Sequence, residues 1–243
     1  MKPNTNTPAP ASTPAPEFPA MNVILQGKGP IIGVKITPPN IQEIELILRG
    51  TAPLVINRFS EKARAIIEAK QRQGSTAKAN KKQLPKDFEE LFTLAQYRSP
   101  EGWPGIHASC LRNAMISACR IVDFKMTLGK MSIFTVADGF DASDETPILR
   151  IYGKEPHQWT VHVRQSTTID LRPRPRWEAG EWELRPRVRY DADQFSITDV
   201  TNLIMRVGAQ VGIGEGRPDS KASAGLGFGL FDVASVDEGR MAA

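Results

Sequence analysis

Apolar and polar residues alternate from Glu43 to Arg49, with Ile44, Leu46 and Leu48 on one side and Glu45, Ile47 and Arg49 on the other. That period of two predicts a half-buried strand, which Gly50 ends. Pro53–Ile56 is a short apolar continuation. A helix is predicted from Ser60 to Gln73, with Ser60 as N-cap, Glu61 in the first turn, and Ala63, Ile66, Ile67 and Lys70 on one face. A second helix is predicted over 86–95, and 97–105, with its two prolines and two glycines, reads as loop. Helical spacing resumes from His107 to Arg120, where Ala108, Leu111, Ala114, Met115 and Ala118 share a side. Strands are predicted over 130–137, 148–152, 159–164 and 181–190, the first two flanking a polar loop at 138–147. Pro186 predicts an edge position or a bulge for the last of them.

The clearest helix is Ser196–Val211. Ser196 and Asp199 form an S-x-x-D start signal, and Val200, Leu203, Ile204, Val207 and Val211 follow as one amphipathic stripe. Gly208 and Ala209 allow close packing, and Gly212 or Gly214 can end the helix in a left-handed conformation. Six glycines, Gly212, Gly214, Gly216, Gly225, Gly227 and Gly229, then fall within 18 residues before a final strand over 227–233.

That order of elements narrows what the glycines are for. A dinucleotide fingerprint follows a strand and opens a helix, whose N-terminus holds the pyrophosphate. Here the glycines follow a helix and face its negative end. The P-loop pattern GxxxxGK[ST] is also missing. Two readings remain. One is close backbone approach or anion binding through exposed N–H groups, with Arg217 and Lys221 in the loop; the other is a helix cap and turn.

Composition narrows the class. With 243 residues and 40% hydrophobic content the chain can bury a sizeable core, and no run of 18 apolar residues predicts a membrane span. Net charge is +4 and the pI about 9.1, which suits a polyanionic partner without requiring one. Cys110 and Cys119 are nine positions apart, which on a helix puts them on opposite faces. With three histidines and no CxxC, neither a disulfide nor a metal site is expected, and reduced thiols point to the cytoplasm. The Pro-, Ala- and Thr-rich stretch within residues 1–38 reads as a disordered or polyproline-like tail, residues 236–243 as a second tail, and 39–235 as one domain.

Positive charge is clustered. Lys70, Arg72, Lys78, Lys81, Lys82 and Lys86 occur with no acid between them, as in a flexible basic loop. Arg164, Arg172, Arg174 and Arg176 precede Trp177, and Arg185, Arg187 and Arg189 recur every second residue. On a strand those last three share a face at about 7 Å spacing, close to the phosphate repeat of an extended single strand. Trp177, Trp182 and Tyr190 could offer stacking surfaces. The alternative is a solvated strand face, or arginines partnered by Glu181, Glu183 and Asp191.

The segment Gly50-TAPLVINRFSEKAR-Arg64, the late helix–strand pair and the glycine-rich loop between them resemble the RAMP superfamily, which includes the backbone subunits of CRISPR effector complexes. More closely, PLVINRFS with GIGEGRP and GFGLFDV is similar to a group of phage and prophage proteins. The resemblance spans about residues 42–235. It implies an α+β fold with a ferredoxin-like (RRM-type) core, an antiparallel sheet, and insertions at 74–106 and 138–180. It also implies RNA binding. RNA-cleaving members carry an aspartate near the first helix; the loop 50–60 here has Asn57 and Arg58 and no acid, which argues against target cleavage. RAMP endonucleases often use a histidine as general base, a role that His107 could fill.

The resulting expectation is a non-enzymatic protein that binds single-stranded RNA or DNA without a cofactor, as a homo-oligomer or filament along the strand. The contact residues expected are Arg58, Lys81, Lys82, Arg164, Arg172, Arg174, Arg176, Arg185, Arg187, Arg189, Arg217 and Lys221, with Arg206 on the last helix as a weaker member. The alternatives are a phage structural or self-assembly protein and a metal-independent RNA endonuclease using His107.

Overall fold

One strand, β1 (Ile41–Gly50), organises the structure. Ile44, Leu46 and Leu48 are buried on one face while Glu43 and Arg49 are exposed on the other, as the period of two requires. The computed structural model describes residues 37–58, 87–165, 168–220 and 225–236, with the backbone alone for 164, 165, 168, 169, 235 and 236. The helix expected over 60–73 and the basic segment 70–86 lie outside the described residues, except that helix 86–95 is seen from Asp87 onward. The chain divides into two units, Met1–Pro38 and Pro39–Ala243, and the second carries the architecture that follows.

After β1 come the strands β2 (Leu54–Val55), β3 (Tyr97–Arg98), β4 (Pro104–His107), β5 (Ile133–Val136) and β6 (Gly139–Phe140). Then come β7 (Pro147–Gly153), β8 (His157–Gln165), β9 (Thr168–Trp177), β10 (Trp182–Leu184), β11 (Arg187–Asp191) and β12 (Phe231–Val236). The helices are α1 (Phe88–Leu94), α2 (Ser109–Ala118), α3 (Met126–Ser132) and α4 (Ile197–Arg206), the last running into a π-helical turn at Val207–Val211.

The fold is a mixed α and β arrangement whose strand pairings are all antiparallel among the described residues. The main sheet runs β3-β4-β7-β10-β1-β11-β5, with β12 on the other side of β1 and β6 beside β7. A second sheet runs β2-β9-β8. β10 and β11 behave as one strand. Leu48 opposite Leu184 and Ile44 opposite Val188 keep a single register through Pro186, whose carbonyl accepts from Leu46 N at 3.2 Å. Pro186 is therefore central and unbulged, unlike the edge or bulge expected, and it costs the ladder one donor only.

α4 meets its expected description. Ser196 and Asp199 form a reciprocal capping box, and Val200, Leu203, Ile204, Val207 and Val211 are all buried. Three other stretches differ. The expected loop 97–105 contains the paired β3 and β4, and His107 ends β4 rather than opening a helix, which starts at Ser109. The expected strand 130–137 begins only at Ile133, because Met126–Ser132 is helical. Arg112 on α2 donates to the Lys130 and Ile133 carbonyls across that junction.

The third difference is β9, which no alternation of apolar residues signals. Its prolines, Pro173 and Pro175, look incompatible with a strand, yet β9 pairs with β8 from His157↔Arg176 to Gln165↔Thr168. Ile56 N donates to the Pro175 carbonyl at 3.2 Å, so the Pro175 main chain faces the β2 side. The missing N–H groups of both prolines, two residues apart, fall on that edge and leave the β8 ladder whole.

The glycine segment joins the two sheets. All six glycines have positive φ, from 64° to 80°. Gly229 N donates to Pro53 O at 2.7 Å and Glu215 N to Val55 O at 2.8 Å, which binds the segment to β2. Ile213 N donates to Gly229 O at 3.0 Å and Phe228 N to Gly216 O at 3.2 Å, which folds its two arms together. A Cβ on Gly229 would collide with the Ile213 carbonyl, and one on Gly214 with the Val55 carbonyl. These glycines serve close main-chain approach, and the N–H groups that bind this frame are not displayed to an anion. Gly229→Ala should lower stability by at least about 2 kcal/mol, from left-handed strain plus collision. Gly225→Ala, at φ 64° with open space around it, should cost about 1 kcal/mol. Denaturant midpoints of the two variants measure this; equal losses would contradict the interlocked arms.

Candidate nucleic-acid interface

The β8–β9 hairpin presents two faces. Its register places Trp159, Val161 and Val163 with Asp170, Arg172, Arg174 and Arg176 on one of them. α1 packs against β9. Between the first face and the glycine segment lies a cleft of about 690 Å³. Trp159, Val161 and Val163 form one wall, Leu226 and Phe228 another, Val55–Asn57 and Ile106 a third, and Tyr97, His107, Cys110 and Arg217 complete it.

Most of the hairpin arginines are already engaged. Arg174 is buried, with Nε 2.8 Å from Glu215 of the glycine segment. Arg176 lies 3.0 Å from Glu178 and stacks over Trp159 and Phe228 at 5.3 and 5.4 Å. Arg172 lies 3.1 Å from Asp170. Arg174 and Arg176 hold the hairpin to the glycine segment, and Arg176 sets the aromatic rings. Trp159 and Phe228 meet edge to face with centroids 5.7 Å apart. Arg217 lines the cleft and donates to Gly214 O at 3.0 Å.

His107 accepts at Nδ1 from Ser109 N, 3.1 Å away, so its neutral ring carries the proton on Nε2. Ser109 Oγ lies 2.9 Å from the same nitrogen, and Tyr97 meets the ring edge to face at 6.2 Å. Burial, helped by Cys110 and Asp144, pushes the Tyr97 phenol up to about 12. Burial pushes the Cys110 thiol up to about 11 against the offsetting Arg217 charge. Both are protonated at neutral pH, so neither furnishes an anionic nucleophile.

Arg185, Arg187 and Arg189 do share the outer face of the main sheet, with Val188 and Tyr190 buried behind them. The face is not a positive track. Arg185 donates to Glu183 at 2.9 Å and stacks over Tyr152 at 4.6 Å. Arg187 stands opposite Glu45, 3.9 Å from Glu43, and Arg189 stands opposite Glu43. Arg49 adds a contact to Glu183 at 3.2 Å. Cross-strand pairing interleaves the charges, and such exposed pairs neutralise one another's long-range field.

Other expected contacts are corrected by burial. Arg58 is 4% exposed, with Nη2 2.8 Å from Asp141 and 3.4 Å from Asp144, beside the Tyr97 ring. Buried and paired with two acids, it ties β2 to the 138–147 turn and is not a surface contact. The stacking residues expected are buried too: Trp177 donates to Lys154 O, Trp182 to Ala52 O and Tyr190 to Gln42. The aromatic groups that reach the cleft are Trp159, Phe228 and Tyr97. Trp159 had a signal, its place on the alternating strand 159–164; Phe228 was hidden among glycines. Lys81, Lys82 and Lys221 lie outside the described residues, and of Arg164 the backbone alone is described. Arg206 lines a second groove along α4, with Phe124, Phe195 and Met205.

No group of three or more His, Cys, Asp or Glu among the described residues is placed to hold a metal ion, and no described helix is long and apolar enough to cross a membrane. No family model and no curated protein matches the chain. Among solved structures, the chain is similar to one in the cryo-EM structure of the Type III-B Cmr-beta bound to cognate target RNA, with a TM-score of 0.44 and 12% identity. The match covers 81% of this chain and 60% of that one.

The Arg58 cluster has a pH signature. Burial would raise the Asp144 carboxyl, but hydrogen bonds from Thr146, the Arg58 charge and Asp141 outweigh it and hold the group below its ordinary value of 3.8. A depressed folded-state value means that the stabilisation is complete above pH 3.8 and is lost as pH falls through the lower value. Denaturant melts from neutral to acid pH should therefore show a stability loss below that point. Asp144→Asn should be less stable at pH 7 and lose less on acidification; an unchanged acid limb would remove Asp144 from the cluster's energetics.

Proposed function

We propose that the protein is a non-enzymatic binder of single-stranded nucleic acid, RNA or DNA, that seats the strand in the cleft between the β8–β9 hairpin and the glycine segment. The observation that carries this reading is the cleft itself: partly exposed faces of Trp159, Phe228 and Tyr97 converge on a volume of about 690 Å³ with Arg217 on its wall. Single-strand binders combine aromatic platforms with a cationic surround in this way, since every base has a π-face and every nucleotide a phosphate. Lys221 follows Ser220, a lining residue, and Lys81 and Lys82 lie in the basic segment between Arg58 and α1. Those lysines add positive charge near the cleft in this reading.

The frame supports it. β12-β1-β11-β5 is an antiparallel set in which α4 connects β11 to β12. In the RAMP-like reading these four would be the strands of a ferredoxin-like core, in the order 4-1-3-2. The 157–177 hairpin falls within the insertion at 138–180. The mixed charges of the outer sheet face make it the weaker surface, which moves the site from Arg185, Arg187 and Arg189 to the cleft. His107 also lines the cleft and leaves Nε2 for an outside partner, so an RNA-cleaving reading shares the location.

Fluorescence anisotropy with labelled single-stranded RNA and DNA tests the proposal. Binding should weaken steeply with salt, as counterion release requires. Phe228→Ala and Arg217→Ala should each weaken it about tenfold. Arg185→Ala and Arg189→Ala should change it by less than about twofold. The reverse ranking would place the strand on the outer face, and no binding at low salt would end the proposal. RNA incubated with the protein should stay intact; cleavage lost in His107→Ala would convert the binder into an endonuclease.

A further inference from the structure

We infer that the cleft is a subsite for one unstacked nucleotide, its base against the aromatic lining and its phosphate toward Arg217, and that the protein therefore discriminates among bases at that position. The inference rests on the nucleic-acid reading and sharpens it, from a grip on a backbone to a pocket for a single residue of the strand.

Size and lining suit a single nucleotide. Pockets for small ligands span about 300–1,000 Å³ and combine apolar walls with a few polar groups. The volume of about 690 Å³ lies in that range, and Val55, Ile106 and Val161 provide apolar walls. The ring planes are fixed before any ligand arrives, because Arg176 stacks on both Trp159 and Phe228 and is itself held by Glu178. Fixed rings spare the ordering cost of binding.

The polar groups are few and differ in kind. Asn57 is exposed and offers a donor and an acceptor together, the combination that reads a base edge. His107 offers a donor from Nε2, since Ser109 N occupies Nδ1. Glu215 also lines the cleft, but its carboxylate is 2.8 Å from Arg174, which offsets its repulsion of a phosphate. Arg217 adds positive charge on the same wall.

Calorimetry of the full-length protein with AMP, GMP, CMP and UMP as probes, beside anisotropy with short homopolymeric single strands, tests the inference. At least one monophosphate should bind in the millimolar range, compete with the oligonucleotide, and rank unequally with the other three. Asn57→Ala should flatten that ranking. Leu226→Trp adds bulk at a residue 51% exposed on the cleft, so it should weaken monophosphate binding about tenfold without moving the melting temperature. Oligonucleotide binding with no monophosphate binding, and a base preference unchanged in Asn57→Ala, would overturn the subsite while leaving the nucleic-acid reading intact. Monophosphate binding without oligonucleotide binding would keep the pocket and overturn the polymer. Binding of neither would remove both.

Discussion

Main-chain hydrogen bonds between the glycine segment and the Pro53–Val55 backbone hold this molecule's parts in place. They connect the sheet built on β1 to the sheet built on β9, and the cleft exists because the two are held at that junction. Side chains could not do this work at such short range. A carbonyl of Ile213 or Val55 occupies the space that a Cβ would need, so the approach is open to glycine alone. The segment follows an amphipathic helix that ends in a π turn, and Gly208 in that turn lies against the Phe231 carbonyl in the same manner. Helix, turn, loop and last strand thus form one continuous piece of close backbone packing.

Around that piece, charge is used inward more than outward. Arg58 is enclosed with Asp141 and Asp144, Arg174 with Glu215, and the sheet arginines are interleaved with Glu43, Glu45 and Glu183. A buried guanidinium offers several donors in a rigid fork, which suits it to joining separate loops. The net charge of +4 therefore says little about where a polyanion would sit. In the proposed reading, the partner's surface among the described residues is the aromatic cleft.

The elements legible in the sequence were those whose pattern is local. β1 and α4 could be read from period and capping alone, because each buries one face against a single core. The order of helix, glycines and strand ruled out a dinucleotide loop without any structure. The pairing of charges was not legible, since Arg174 finds Glu215 and Arg58 finds Asp141 only through the fold. The burial of Trp177, Trp182 and Tyr190 followed the same logic: an aromatic residue next to arginines looks like a stacking surface until the other side of the strand is known. β9 was hidden because its prolines mask a ladder that they do not interrupt, and β3 and β4 because two- and four-residue strands leave no period to read.

The prolines of β9 have a further effect on how the molecule meets its own copies. Ile56 N already takes the Pro175 carbonyl, and Pro173, two residues away, offers a carbonyl on the same edge with no amide beside it. An extended chain laid along that edge would therefore meet an interrupted ladder, a poor template for further pairing.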